Sequence, residues 1–96
     1  MSNITVIGEI KARPNHQDTV KKARAKLVGP TQKEKGCVRY DLHQDRHDPT
    51  LFFFLEKWSS EDDLNNHLQS QHVTGCASMI GDLMESTEVY RLDRVS

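Results

Sequence analysis

The chain lacks any long apolar run. The longest, Leu51 to Leu55, is five residues, against the roughly 20 that a membrane-spanning helix needs. The N-terminal MSNITVIGEIKA has no basic segment ahead of an apolar one and does not read as a secretory signal, so a cytoplasmic setting with no membrane partner is expected. Cysteine is scarce as well. Cys37 and Cys76 form neither a CxxC pair nor a finger spacing, which excludes a disulfide framework and a structural zinc motif and leaves two free thiols. The chain contains no GxGxxG, no Walker lysine, no GxSxG and no RNP-type aromatic motif, so the common nucleotide, hydrolase and RNA readings find no support. Apolar material is limited too, at 35% of residues with a mean hydropathy of -0.70. A chain of 96 residues hides only about two thirds of its unfolded surface. One domain over 1-96 with a core of about 3-93 is therefore expected, and self-association would bury more.

The net charge of -1 conceals a split. Residues 1-40 carry nine Lys/Arg and three Asp/Glu, while residues 41-96 carry four and eleven. A basic half can signal nucleic acid. Here Lys21, Lys22, Arg24 and Lys26 read more simply as the solvated face of one helix, and no nucleic-acid partner is expected.

Residues 3 to 12 alternate Ile4, Val6 and Ile10 against Thr5, Glu9 and Lys11, the period of a strand with one buried face. Asn15 with Asp18 resembles a helix cap, and Val20, Ala23 and Leu27 recur at helical spacing until Gly29-Pro30, predicting a helix over 15-28. CVRYDLHQ, from Cys37 to Gln44, alternates again, with Val38, Tyr40 and Leu42 on one side. A turn through Asp48-Pro49 leads into LFFFLEKW, whose nearly continuous apolar character predicts a central strand covered on both faces. Ser59-Ser60 ahead of Glu61, Asp62 and Asp63 is the strongest helix start in the chain. Two apolar stripes follow, separated near Gly75, so the helix kinks there or two helices abut. TEVYRLDRV is the last strand, with Val89 and Val95 opposed to Tyr90 and Leu92.

The order β-α-β-β-α-β predicts an α+β, ferredoxin-like fold with an antiparallel sheet in the order 4-1-3-2 and both helices on one face. The first and third strands are apolar on both faces, and the helices can cover only one. A homodimer packed sheet against sheet supplies the missing cover.

One carboxylate lies inside the most apolar stretch. Period 2 groups Glu56 with Phe52, Phe54 and Trp58, opposite Leu51, Phe53 and Leu55. Among the helix residues, His67 shares a stripe with Leu64 and Leu68, so Glu56 and His67 are expected to meet beneath the helices, near Tyr40. Such a pair can pin helix to sheet as a buried hydrogen bond. It can equally serve a pocket in which the carboxylate orients the imidazole and His67 accepts a proton from an acidic ligand. His72, about 140° from His67 on a continuous helix, is a poor metal partner for it. His43 and His47, with Asp45 and Asp48, lie in a hairpin turn and meet no ligand spacing, and no metal site is expected.

The run EKGCVRYDLHQD from Glu34 to Asp45, the Asp48-Pro49 pair and FFFLEKWSSEDDLNNH from Phe52 to His67 resemble the antibiotic biosynthesis monooxygenase domain family. The pattern is G-C-x-x-Y, then E-x-W, then a histidine nine residues after the tryptophan. The resemblance implies a dimeric α+β barrel, with a pocket between sheet and helices in each subunit. It also implies a monooxygenase that oxidises a small electron-rich aromatic, a quinol or polyphenol, with O2 and no metal, flavin or haem. The residues it points to are His67 as proton acceptor and Glu56 as its orienter, with Tyr40, Phe52, Phe54, Trp58 and His72 around the substrate. The family is mixed. A haem-degrading variant, for which His72 and Asn3 would be the candidate residues, an isomerase, or a non-catalytic dimeric binding protein are the alternatives.

Overall fold

The computed structural model describes residues 3-96, and the alternation of the sequence becomes an alternation of burial. In β1 (Ile4–Ala12), Val6, Gly8, Ile10 and Ala12 turn inward. After α1 (Gln17–Ala25), α2 (Val28–Gln32) and β2 (Cys37–Gln44), the same pattern returns in β3 (Leu51–Trp58), where Phe52, Phe54, Glu56 and Trp58 are buried and their neighbours are not. Then come α3 (Glu61–Leu68), α4 (Gln71–Ile80) and, after a short 3-10 turn, β4 (Met84–Leu92). The strands form one antiparallel sheet in the order β2-β3-β1-β4, the expected ferredoxin-like α+β plan read from its other edge. Val20, Leu64 and Ile80 from the helices, with Leu27 from the turn between α1 and α2, close on Val6, Ile10, Phe52, Phe54 and Trp58 from the sheet.

Among the described residues, no helix covers the other face of the sheet. Ile7, Leu51, Phe53 and Leu55 are half-buried there, and Tyr90 and Leu92 are 44% and 41% exposed. Among the described residues no helix is long and apolar enough to cross a membrane.

Several expected boundaries shift, each for a local reason. The first helix starts two residues later than its Asn15 signal, because Asn15 takes a left-handed conformation with φ 72° and His16 becomes the cap. The helix expected over 15-28 ends at Ala25, and after a turn at Lys26-Leu27 the separate helix α2 runs through Gly29-Pro30. Pro30 falls in the first turn of α2, where a helix needs no backbone N–H from it. Val38 does not share a face with Tyr40 and Leu42. The pairing jumps from Cys37–Trp58 to Arg39–Lys57, and this bulge leaves Val38 unpaired and 55% exposed. Val95 lies beyond the end of β4 and is 98% exposed. The break between the last two helices falls at Gln69-Ser70 and not at Gly75, which sits inside α4. Ser70 adopts extended backbone angles, and its hydroxyl donates to the His67 carbonyl at 2.7 Å, satisfying one of the carbonyls that a helix end leaves free.

The start of α3 is as its sequence suggests, with Ser60 Oγ accepting from the Asp63 N–H at 3.1 Å. Gly36 packs against the same turn at φ 81°, and its carbonyl accepts from the Ser59 N–H at 2.8 Å. A Cβ at Gly36 would run into the Asp63 carboxylate. Gly36→Ala is therefore expected to lower stability by about 1–3 kcal/mol, from the left-handed backbone and the displaced helix start together. A denaturant titration measures this; an unchanged midpoint would contradict it.

Candidate functional site

A cavity of about 340 Å³ opens between the sheet and the helices, walled by Arg24, Tyr40, Phe54, Glu56, His67 and Leu68 with Gly8 on its floor. Alternation on β3 brings Phe54 and Glu56 to it, and the β2–β3 register sets Tyr40 directly beside Glu56. Tyr40 stacks on Phe54 with centroids 4.7 Å apart. Its phenol is pushed up by burial, with the Glu56 carboxylate adding to the effect and the Arg24 guanidinium opposing it.

Glu56 is 7% exposed. Its Oε1 accepts from Trp58 Nε1 at 2.9 Å, while Oε2 lies over Gly8, where even a methyl group would come within 3.4 Å of it. Gly8 thus leaves the second oxygen room on the cavity side. Burial raises the Glu56 pKa from 4.5 to about 7, against the Trp58 hydrogen bond, and the charge of Glu34 adds to the rise.

His67 is 2% exposed, and its ring lies 4.7 Å from that of Trp58 and 5.2 Å, edge-on, from that of Tyr40. Its expected partner was Glu56. Its actual one is Glu34, whose Oε2 is 2.6 Å from His67 Nδ1. The physical reason is that Trp58 already engages Glu56 from the same strand face, while the loop before β2 delivers Glu34 to the imidazole. Burial lowers the His67 pKa, the hydrogen bond and charge of Glu34 oppose this, and His72 adds to the lowering. A carboxylate partner accepts, so the neutral ring carries its proton on Nδ1 and presents Nε2 as an acceptor.

His72 Nε2 reaches the same Glu34 oxygen at 2.9 Å. The helix break at Gln69-Ser70 cancels the angular separation that a continuous helix would impose. Ligand atoms of Glu34, His67 and His72 lie within 4.8 Å of one another, and two imidazoles with a carboxylate form a donor set suited to a divalent transition ion such as zinc. These are the described residues that could hold a metal.

Of the residues singled out from the sequence, Tyr40, Phe54, Glu56 and His67 meet at the cavity, and Phe52, Trp58, His72 and Asn3 do not. Phe52 is fully buried and lines a separate recess beside Val28 and Leu42. Trp58 is fully buried, held by its bond to Glu56. His72 lines a groove with Lys22, Gly75 and Met79. Asn3 borders a surface recess with Lys57 and Arg94, so Asn3 and His72 share no site. Sequence reading assigned neither Glu34 nor Arg24 to the site, and it expected Arg24 on the solvated face of the first helix, where it is instead buried. Glu34 carries no local signal, because a loop residue is brought to the histidines only by the fold. Arg24 did carry one. It stands four residues after Val20 and three before Leu27, on the buried stripe, and it is 8% exposed.

A family described as "Antibiotic biosynthesis monooxygenase" matches residues 3–78. Among curated proteins, the Escherichia coli protein named "Probable quinol monooxygenase YgiN" is 32% identical over 93 residues, covering 85% of this chain and 89% of its own length. "Uncharacterized protein sll1783" of Synechocystis is 23% identical over 93 residues, and the match takes in 97% of this chain and 63% of that protein. Among solved structures, PA3566 from Pseudomonas aeruginosa superposes with a TM-score of 0.94 at 32% identity, covering 100% of this chain and 97% of that one.

The raised Glu56 pKa has a consequence for stability. The folded value of about 7 lies above the ordinary 4.5, so between these two the folded chain holds a proton that the unfolded chain has lost. Its contribution is most favourable below the ordinary value and is lost as pH rises towards 7. Glu56→Gln keeps an acceptor for Trp58 and removes the buried charge. The variant is expected to be more stable than the parent at pH 8 by on the order of 1–2 kcal/mol, and the difference should close by about pH 5. Paired thermal melts across this range check it, and a difference independent of pH would contradict it.

Proposed function

We propose that this chain, which belongs to the antibiotic biosynthesis monooxygenase family, oxidises a small electron-rich aromatic, a quinol or polyphenol, with O2 in the cavity above Gly8. The observation that carries this reading is a buried carboxylate with one oxygen free towards a cavity bordered by Tyr40 and Phe54 and a pKa of about 7. Such a group suits proton removal from a hydroxyl near neutrality. An electron-rich aromatic anion passes an electron to O2 unaided, so the protein's tasks are to bind the ring, form the anion and keep the radical pair together.

For a quinol, Glu56 takes one hydroxyl proton and the anion gives one electron to O2, leaving a semiquinone and superoxide. Their recombination at a ring carbon forms a C–O bond, and the peroxide oxygen receives the proton back from Glu56. Cleavage of the O–O bond, with loss of the hydrogen on that carbon, releases water and leaves a hydroxyquinone. One O2 and one quinol become one hydroxyquinone and one water. Tyr40 and Phe54, already stacked, form the wall against which the ring lies. In this reading Glu56 is the base, because its second oxygen faces the cavity and its pKa of about 7 suits proton transfer near neutrality, while His67, with Nδ1 given to Glu34, offers Nε2 to accept a hydrogen bond from a substrate hydroxyl.

The partner for the uncovered face of the sheet is a second copy of the chain. Ile7, Phe53, Leu55 and Tyr90 share adjacent rows there, and pairing two such faces would bury them.

Oxygen uptake by purified protein with a naphthohydroquinone, corrected for the spontaneous rate, is expected to saturate with substrate. Uptake should rise with pH through about 7 as Glu56 ionises, because only the carboxylate form accepts the proton. Glu56→Gln should remove that rise and lower the rate by roughly 10²–10⁴-fold. No uptake above the spontaneous rate, or an unaltered variant, would overturn the reading. Sedimentation equilibrium is expected to show a dimer, and a monomer would remove the second copy.

A further inference from the structure

The least explained group in the cavity wall is Arg24. It is 8% exposed, and it borders the cavity together with Tyr40, Glu56 and His67. Its Nε is buried with no hydrogen-bond partner. The ion pairs of the described residues are Lys11–Asp48, Arg39–Asp41, Arg91–Glu61 and the two histidine contacts to Glu34, so none joins Arg24 to a carboxylate. A guanidinium stays charged at any working pH, and burying it uncompensated costs several kcal/mol. Arg24 occupies a helix position between Val20 and Leu27 that a leucine would fill without that cost. Glu9, Glu56 and Glu88 also border the cavity, none of them in an ion pair with Arg24, and Glu56 gives Oε1 to Trp58. The cation is therefore a charge waiting for an anion that enters from the cavity.

We propose that Arg24 anchors a carboxylate on the substrate's aromatic ring, so that the cavity selects hydroxyaryl carboxylates over neutral phenols and quinols. The planar fork of a guanidinium matches the two oxygens of a carboxylate, whereas a phenolate offers one. Arg24 and Glu56 form no pair, so they bound the cavity at separate points, and a bifunctional ligand can meet both: its acidic group at Arg24, its hydroxyl at the free oxygen of Glu56. A volume of about 340 Å³ lies at the small end of ligand cavities and suits one or two fused rings. The inference rests on the reading above only in taking this cavity as the substrate site, and it narrows the substrate class within it.

Anaerobic calorimetry with a hydroxynaphthoate and the matching naphthol, which differ only in the carboxylate, tests the anchor without turnover. The hydroxynaphthoate is expected to bind the parent protein roughly 10- to 100-fold more tightly. Arg24→Leu should abolish that preference while naphthol affinity stays within about threefold, the latter also showing that the variant is folded. Arg24→Lys keeps the charge and loses the fork, so it should retain part of the preference. Equal affinities in the parent protein, failure of both compounds to bind, or a preference that survives Arg24→Leu would overturn the proposal. A carboxylate preference without oxygen uptake would leave the anchor standing and sink the monooxygenase reading. Uptake without the preference would do the reverse.

Discussion

One shared proton acceptor organises the polar half of this molecule. Oε2 of Glu34 sits between Nδ1 of His67 and Nε2 of His72, and it thereby ties the loop before β2 to α3 and α4. Two histidines on either side of a helix break can reach one oxygen only because that break turns the second helix back. The consequence for chemistry follows directly. With His67 satisfied by Glu34, Glu56 is released from the pairing that its position invites, and its second oxygen remains for something else.

The surroundings of Glu56 then determine its character. Three kinds of neighbour act on it. Burial beneath the helices disfavours its charge, the Trp58 indole N–H favours it, and the charge of Glu34 opposes it again, leaving a group that changes state near neutrality. A carboxylate at the surface would stay ionised and be a weak base, while one buried without the indole would stay protonated and inert. The Trp58 bond also fixes the orientation of the carboxylate, so the free oxygen points over Gly8, where there is no side chain to block it. Aromatic packing of Tyr40 on Phe54 and of His67 on Trp58 holds this constellation from two sides.

The two faces of the sheet divide the apolar residues of β3 according to their neighbours. On the helix side Phe52 and Trp58 are wholly buried and serve cohesion, leaving Phe54 to border the cavity. On the open side Leu51, Phe53 and Leu55 remain half-covered. A strand this apolar on both faces is at odds with a one-sided layer of helices unless something else packs on the open side, and that mismatch is the physical content of the expectation of a second copy.

Much of the fold was legible because local rules suffice for it. Period 2 sorts Val6 from Ile7 and Glu56 from Leu55, Ser60 with its following carboxylates marks the start of α3, and the order of elements leaves few topologies open. The sequence by itself determined which residues of β1 and β3 share a face, that Glu56 is buried among aromatics and that His67 projects towards the sheet, but not the face of Val38, which the bulge in β2 turns outward. Partners, however, depend on distances between segments far apart in the chain. Only the tertiary structure decided that Glu34, 33 residues before His67, takes the imidazole, and that the helix break returns His72 to the same oxygen. It also decided that Arg24, outwardly one of a run of basic helix residues, is turned into the core with no ion-pair partner among the described residues. The reason is that periodicity fixes direction along one element, whereas a hydrogen bond or an unpaired charge is a property of what the other elements bring to the same place.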